Sequence, residues 1–132
     1  MAAVLLDTTV LIDLLRGKPG TAARLRALRQ VGDRPFVCAI NVDEVERGIR
    51  NDREAEAAAR LFEGMDIAPL GRAQGLLSGR WRREYAILGL TLVQADCLVA
   101  AAAVGVGATL ATGNSKDFPM SELQVAHWPV GQ

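Results

Sequence analysis

Short apolar runs alternate with longer amphipathic stretches along the chain, and this alternation predicts strands and helices in turn. Apolar runs with the length of buried strands lie at residues 2–6, 36–39, 108–111 and 124–128. Apolar residues recur at helical spacing over residues 10–17, 21–31, 42–50, 53–65 and 71–88. Residues 66–70 form either a strand or a loop, and residues 112–119 either a polar loop or a short helix. The pattern predicts an α/β fold with a doubly wound parallel sheet covered on both faces.

Asp96 is the only charged residue between Ala86 and Ser115. Apolar residues surround it at helical spacing, so the sequence predicts a buried helix there, which Thr91 and Gln94 would open as a capping box. An ionised carboxylate buried without a partner is so unfavourable that it must find a cation, accept hydrogen bonds or stay protonated. Asp96 is therefore the first candidate functional residue.

Three further acidic residues follow the carboxyl ends of predicted strands, where doubly wound sheets place their functional groups. Asp7 ends the first strand, Glu44 lies in the first turn after the second, and Asp117 follows the strand after the Asp96 helix. Four carboxylates that converge would repel one another unless a cation collects them. Oxygen ligands without His or Cys favour Mg²⁺ or Mn²⁺ over zinc, and two such ions form a clamp for attack on a phosphodiester.

Three segments of the chain resemble, in order and spacing, the three acidic motifs of PIN-domain proteins, most closely the VapC toxins of bacterial VapBC toxin–antitoxin pairs. They read LLDTTVLIDLLRG, INVDEVERG and ADCLVAAAAVGVGATLATGNSKDF, and the resemblance spans residues 4 to about 119. By position, it assigns metal-binding and catalytic roles to four acids: Asp7, Glu44, Asp96 and Asp117. It assigns supporting roles to two hydroxyls near the metal and to one amide that steadies the loop: Thr8, Thr112 and Asn114.

The resemblance implies a single PIN domain over residues 1–132, with a three-layer α/β/α fold and a central, mostly parallel sheet. It implies an Mg²⁺- or Mn²⁺-dependent endoribonuclease that leaves 5′-phosphate and 3′-hydroxyl ends. Its implied partners are an RNA substrate, a VapB-type antitoxin that silences it by occupying its groove, and a second copy of the chain. The assembly expected is a homodimer, or a heterotetramer or larger complex with the antitoxin.

Two residues depart from the family pattern. Gly113 stands where an arginine is common, and Val45 follows Glu44 where leucine is usual. Neither departure removes a metal ligand, but Gly113 removes an expected substrate contact.

The proposed ligands also have purely structural interpretations. Asp7 could cap the first helix, Glu44 could be the capping-box partner of Asn41, and Asp117 could cap a turn. Asp96 has no such alternative, because its helix already has a predicted cap. The order of the motifs favours the metal site.

Other polar and aromatic residues are interpreted as structural. Asp13 and Asp66 are predicted at the surface, and His127 is predicted to be packed rather than catalytic. Trp81 belongs to the apolar stripe of residues 71–88, so it is expected in the core or in a dimer interface rather than as a base-stacking platform.

The charge balance neither names nor excludes a nucleic-acid partner. The 132 residues carry 15 basic and 15 acidic side chains, so the net charge is zero. Five basic residues fall between positions 14 and 32 and four between 67 and 83, without an acid in either stretch. These side chains could bind phosphate, meet an antitoxin helix or simply be solvated. The excess of arginine over lysine has an equally good explanation in the codon bias of a GC-rich genome.

Cysteine usage and the apolar runs indicate a cytoplasmic protein without a membrane segment. Cys38 and Cys97 are too few for a disulfide framework and lack the spacing of a zinc site. Met1 leads almost directly into a strand, which is unlike a signal peptide. Glycines interrupt the uncharged run from residue 97 to 115, which favours a core helix and strand over a membrane span.

Two other classes of protein share parts of this pattern. A phospho-acceptor receiver domain has the same plan and an acidic Mg²⁺ pocket, but it needs paired acids after the first strand and a lysine after the fifth. Here Asp7 stands alone, and neither Lys18 nor Lys116 is suitably placed. A PIN fold that serves only as a binding scaffold is the second alternative, and the presence of all four acids argues against it.

Overall fold

The computed structural model describes all 132 residues. The strands are β1 (Ala3–Leu6), β2 (Arg34–Val37), β3 (Asp66–Ile67), β4 (Thr109–Thr112) and β5 (Val125–His127). The helices are α1 (Thr8–Leu15), α2 (Pro19–Gln30), α3 (Ala39–Arg47), α4 (Asp52–Glu63), α5 (Arg72–Ile87) and α6 (Gln94–Gly105), and a 3₁₀ turn covers Ser115–Asp117. No helix has both the length and the apolar character needed to cross a membrane.

The five strands form one sheet in the order β3-β2-β1-β4-β5, and every neighbouring pair is parallel. The α/β fold with a parallel sheet is therefore confirmed. The chain moves outward from β1 through β2 to β3, and then returns to β4 on the other side of β1. Connections that leave β1 and β4 in opposite directions open a crevice at the carboxyl ends of these two strands.

Helices cover both faces of the sheet, which gives the predicted three layers. Alternate side chains of β1 point to opposite faces, so Leu5 and Leu6 belong to different hydrophobic clusters. Leu5 shares a cluster with Trp81 of α5 and with the alanines of α6. Leu6 shares the other with residues of α1, α2, α3 and α4. Trp81 is 1% exposed, so of its two predicted places it occupies the core.

Helix α6 is built from small residues that let it lie deep in the fold. Residues 100–103 are consecutive alanines with no exposed surface, and alanine is the strongest helix former. The helix begins at Gln94 with Val93 at the N-cap position, because the chain is still extended there. The predicted capping role of Thr91 is therefore wrong, and Asp96 falls in the first turn of α6.

Helix α3 begins three residues earlier than the sequence pattern predicts. Its N-cap is Cys38, and Asn41 is the third helical residue rather than the cap. The Asn41 Oδ1 atom accepts a hydrogen bond from the Cys38 backbone N–H at 2.9 Å. The predicted pairing of Asn41 with Glu44 in a capping box is therefore wrong, and Glu44 has no capping function in α3.

Candidate active site

Asp7 lies at the carboxyl end of β1, beside the end of β4. It occupies the N-cap position of α1, but its side chain makes no capping hydrogen bond. Its Oδ2 atom instead accepts hydrogen bonds from the hydroxyls of Thr112 at 2.7 Å and Thr9 at 3.4 Å. The residue is only 7% exposed. Burial raises the pKa of Asp7, and the hydrogen bond from Thr112 opposes this by favouring the charged form.

Glu44 is held by a chain of hydrogen bonds that starts at the helix N-cap. The Thr8 hydroxyl donates to Glu44 Oε1 at 2.7 Å. The Asn41 side-chain amide donates to that same hydroxyl at 3.2 Å. Asn41 has no exposed surface. Its oxygen caps the start of α3 and its nitrogen links that helix to α1. Thr8 lies beside a proposed ligand, as the resemblance implies.

Asp96 and Asp117 complete the acidic cluster from the other side of the crevice. Asp96 is partly buried in the first turn of α6, and Asp117 is exposed at the end of the 3₁₀ turn after β4. Burial raises the pKa of Asp96 to about 6, and the negative charges of Asp7, Asp117 and Glu44 add to the shift. Asp96 therefore lies within electrostatic range of the other three predicted acids, and Asp7 lies within range of Glu44.

No basic side chain neutralises this acidic cluster. The ion pairs of the protein all lie elsewhere: Arg34–Asp66, Arg50–Glu54, Arg80–Glu84 and Arg80–Glu122. As the side chains stand, no three acidic, histidine or cysteine residues are close enough to enclose a metal ion. The donor chemistry nevertheless fits a hard divalent cation, because all four groups are carboxylates whose repulsion a cation would relieve.

The loop after β4 is held by backbone N–H groups rather than by the predicted amide. The Asn114 N–H donates to the Thr112 hydroxyl at 3.0 Å, and the Gly113 N–H donates to the Thr9 hydroxyl at 3.1 Å. The exposed Asn114 side chain does not cap the 3₁₀ turn. A Cβ atom at Gly113 would lie 2.6 Å from Val130 Cγ1, so packing leaves no room there for the arginine common in the family.

The structure corrects two predictions about individual residues and supports a third. Asp13, predicted at the surface, is 5% exposed, and its carboxylate accepts a hydrogen bond from the Gly131 N–H at 2.6 Å. His127, predicted to be packed, is exposed on β5. Asp66 forms an ion pair with Arg34 at 2.5 Å between half-exposed side chains.

Sequence reasoning missed two residues that organise the site, Thr9 and Asn41. Thr9 donates to Asp7 and accepts from Gly113, so it joins the ends of β1 and β4. The only feature of the sequence that points to Thr9 is its position two residues after Asp7. Asn41 was noticed, but as a helix cap rather than as a buried link to Thr8.

A groove opens beside Glu44, between α1, α3 and α4. Half of its lining residues are apolar: Ile12 and Leu15 from α1, Val45 and Ile49 from α3 and the residues after it, and Ala57 from α4. Two arginines, Arg16 and Arg50, line it beside the acidic Glu44 and Glu54. A segment with one apolar face could therefore lie in this groove and reach the acidic cluster.

Comparison with known proteins identifies the class. The family model described as PIN domain matches residues 4–120. The chain belongs to the PIN-domain family. Within that class it is similar to Ribonuclease VapC19 of Mycobacterium tuberculosis, with 31% identity over 116 residues that cover 88% of this chain and 92% of the relative.

Solved structures agree with this assignment of the fold. One is the crystal structure of VapBC2 from Rickettsia felis bound to a DNA fragment from their promoter, with a TM-score of 0.85 and 19% identity. It is matched over 96% of this chain and 98% of its own. Another is VapBC-1 from nontypeable Haemophilus influenzae, with a TM-score of 0.80, 24% identity and coverage of 96% and 98% of the two chains.

Proposed function

We propose that the protein is a metal-dependent endoribonuclease and the toxin of a toxin–antitoxin pair. The observation that carries this proposal is the acidic cluster at the crevice, in which burial and three neighbouring carboxylates raise the pKa of Asp96 and no basic side chain forms an ion pair with them. RNA as the substrate is supported by the 31% identity to a protein named Ribonuclease VapC19. The proposed catalytic and metal-binding residues are Asp7, Glu44, Asp96 and Asp117.

Three aspartates and one glutamate would hold one or two Mg²⁺ or Mn²⁺ ions. Asp7, Asp96 and Asp117 would bind directly, and Glu44 directly or through water. When bound, such an ion activates water and neutralises charge on the scissile phosphate and the leaving 3′-oxygen. The products would carry 5′-phosphate and 3′-hydroxyl ends.

The surrounding polar residues prepare these carboxylates for the cation. Thr112 donates to Asp7 and thereby favours its ionised, metal-binding form. Thr8 fixes one oxygen of Glu44, and the buried Asn41 holds Thr8 in turn. Such hydrogen bonds to metal ligands set their orientation, and losing one weakens metal affinity in known sites by about 10–100-fold.

Exposed arginines are the proposed contacts for the RNA backbone. Arg80 is engaged by Glu84 and Glu122, and Arg29 donates to the Gly64 carbonyl, so neither is fully available. The exposed basic residues that form no ion pair and remain in the two predicted stretches are Arg16, Arg24, Arg26, Arg72, Arg82 and Arg83. Phosphate binding by some of them would make cleavage sensitive to salt.

The proposed regulatory partner is a VapB-type antitoxin. Several structures similar to this chain are VapBC complexes, including one from Salmonella typhimurium that is DNA bound. We propose that an apolar segment of the antitoxin occupies the groove between α1, α3 and α4 and silences the neighbouring acidic cluster. The cytoplasm, where such a partner and RNA meet, is the proposed location.

A homodimer is proposed from a set of exposed apolar residues on α5 and in the segment that joins it to α6. Its members are between 50% and 82% exposed: Leu76, Ile87, Leu88, Leu90 and Val93. Exposed apolar side chains at neighbouring positions, such as Ile87 and Leu88, are candidates for an interaction site. The homodimer would be the core of a heterotetramer or larger complex with the antitoxin, and each chain would contribute one domain over residues 1–132.

The test is cleavage of total cellular RNA by the purified protein without its partner. New 5′-phosphate ends would be mapped in Mg²⁺ or Mn²⁺, in EDTA, and with the Asp96→Asn variant. Asp43→Asn is the matched control, because Asp43 is exposed on α3 next to Glu44 and forms no ion pair. We expect discrete ends with the wild type and Asp43→Asn in metal only. Ends that persist in EDTA or with Asp96→Asn would refute the proposal, as would the absence of ends from every sample.

A further inference from the structure

Asp13 is a buried carboxylate that the proposed reaction does not use. It lies on α1 with 5% of its surface exposed, and no basic side chain pairs with it. A carboxylate in such a position is costly unless it accepts strong hydrogen bonds. Its hydrogen bond to the Gly131 N–H is short, at 2.6 Å, and hydrogen bonds to carboxylates are among the stronger ones in proteins.

This hydrogen bond holds the segment of residues 129–132 against the start of the chain. A second contact holds the segment at Gln132. The Gly20 N–H at the start of α2 donates a hydrogen bond to the Gln132 carbonyl at 3.0 Å. Gly131 has a φ of +81°, so the backbone turns there in a conformation that favours glycine. The segment is therefore tied to α1 and to α2 on either side of that turn.

The same segment presses on the loop that carries Asp117. Val130 lies over Gly113, where a Cβ atom would be within 2.6 and 2.8 Å of its two methyl groups. Just before the segment, the Trp128 N–H donates to the Thr112 carbonyl at 2.9 Å. The first residues of the loop therefore have contacts on two sides. Thr112 donates a hydrogen bond to Asp7, and Val130 fills the space above Gly113.

The position of Asp117 follows from that of this loop. Its backbone N–H donates to the Asn114 carbonyl at 3.0 Å, and the Asn114 N–H donates to the Thr112 hydroxyl at 3.0 Å. Asp117 itself is exposed, and its 3₁₀ turn spans only three residues. A shift at Gly113 would therefore move the Asp117 carboxylate relative to Asp96.

We propose that Asp13 is a positioning residue for the acidic site, which acts by fixing residues 129–132 over Gly113 and so setting the place of Asp117. This inference rests on the proposed metal site. It concerns a residue of α1 that is not itself a proposed ligand, and it predicts that metal affinity depends on its contact with residues 129–132.

Two variants disturb this contact in different ways. Asp13→Ala removes the acceptor for Gly131, whereas Asp13→Asn keeps a side-chain oxygen that can accept. Gly20→Ala leaves Asp13 intact but places a Cβ atom 2.9 Å from the Gln132 carbonyl oxygen, which pushes the segment away. Gly75→Ala on α5 is the matched control, since a Cβ atom there meets nothing within 4 Å. Both glycine replacements favour the helix, but only at Gly20 is this gain opposed by a close contact with a backbone oxygen.

Hydrogen exchange and Mn²⁺ titration would be measured on the full chain. We expect faster exchange at the Gly113 and Asn114 amides and about threefold to tenfold weaker Mn²⁺ binding in Asp13→Ala and Gly20→Ala, less than the losses of about 10–100-fold seen for residues that contact metal ligands directly. Asp13→Asn should restore much of both, and Gly75→Ala should match the wild type. Urea unfolding would show whether overall stability changes.

The outcomes separate this inference from the proposed function. Unchanged exchange in Gly113 and Asn114 would overturn the inference, and so would faster exchange with unchanged Mn²⁺ affinity. Exchange that rises equally throughout the sheet would also overturn it, because Asp13 would then only stabilise the fold. A wild-type protein that binds no Mn²⁺ would instead refute the metal site, and the exchange data would still decide whether Asp13 fixes the loop.

Discussion

Replacing Asp96 by asparagine should stabilise the metal-free protein. The folded state holds the Asp96 proton more tightly than the unfolded state does, because burial and three neighbouring acids raise its pKa from 3.8 to about 6. Between these two values the folded form binds more protons than the unfolded form, so the free energy of unfolding falls as the pH rises. Above about pH 6 the loss is complete. Asparagine keeps nearly the same shape and carries no charge to repel.

The size of the gain follows from the shift. A pKa change from 3.8 to about 6 corresponds to about 3 kcal/mol. Asp96 is only partly buried, so solvent screening reduces the expected gain to about 1–2 kcal/mol. A carboxylate in the first turn of α6 also gains roughly 0.3–1 kcal/mol from the helix dipole, which asparagine loses. The cost of holding a charged carboxylate in this partly buried, acidic place is the larger effect, so the net change should be stabilising.

Urea unfolding in EDTA, at about pH 7.5 and about pH 4, measures this gain. Asp96→Asn should unfold at higher urea than the wild type at the upper pH, and the difference should nearly vanish at the lower pH, where Asp96 is protonated in the folded protein. Asp43→Asn, on an exposed residue, should change little at either pH. Adding Mg²⁺ should reduce the difference in stability between Asp96→Asn and the wild type, because the ion would bind and stabilise the wild type more than the variant.

Two results would refute this reasoning. One is an Asp96→Asn protein that is less stable than the wild type at about pH 7.5 in EDTA. The other is a gain of equal size at both pH values, which would show that the difference does not come from the titration of a carboxylate.

Three further changes test the hydrogen bonds and packing around the site. Thr112→Val should weaken Mn²⁺ binding about tenfold in calorimetry, because Asp7 loses its donor; unchanged affinity would contradict this. Asn41→Ala should lower the free energy of urea unfolding by about 1–3 kcal/mol, because the buried Cys38 N–H loses its acceptor; a neutral effect would mean that water replaces it. Gly113→Ala should cost about 1–3 kcal/mol through the clash with Val130, whereas Gly79→Ala, in open space on α5, should cost nothing.

The sequence predicted the sheet and the meeting of the acids because both follow from local patterns. Alternating apolar runs and helical periods define the α/β order, and parallel strands bring their carboxyl ends to one edge. Asp7 and Asp117 could therefore be placed together although 110 positions apart in number. The strand or loop at residues 66–70 could not be decided, because β3 is only the two residues Asp66–Ile67.

The start of α3 differs from the prediction because the N-cap residue is an unusual one. Serine, threonine, aspartate and asparagine are the preferred N-caps, so Asn41 was the natural choice. The actual cap is Cys38, and Asn41 turns back to its N–H from inside the helix. The role of Asn41 also depends on Thr8, a residue 33 positions away that no local pattern connects to it.

The burial of Asp13 also differs from the prediction, because it depends on a contact with a residue far away in the sequence. A single acid in a short helix is usually solvated. Its partner Gly131 is 118 positions away, in a segment without a periodic pattern of its own. His127 shows the reverse error, because its apolar neighbours suggested packing, whereas it lies exposed on the edge strand β5.

Anomalous diffraction from crystals soaked in Mn²⁺ tests most directly whether the four acids collect a cation. A peak among Asp7, Asp96 and Asp117 in the wild type, and its absence from Asp96→Asn crystals, is the predicted result. No peak at this place, at Mn²⁺ concentrations that support RNA cleavage in solution, would contradict the proposed metal site, and so would a peak only elsewhere on the molecule.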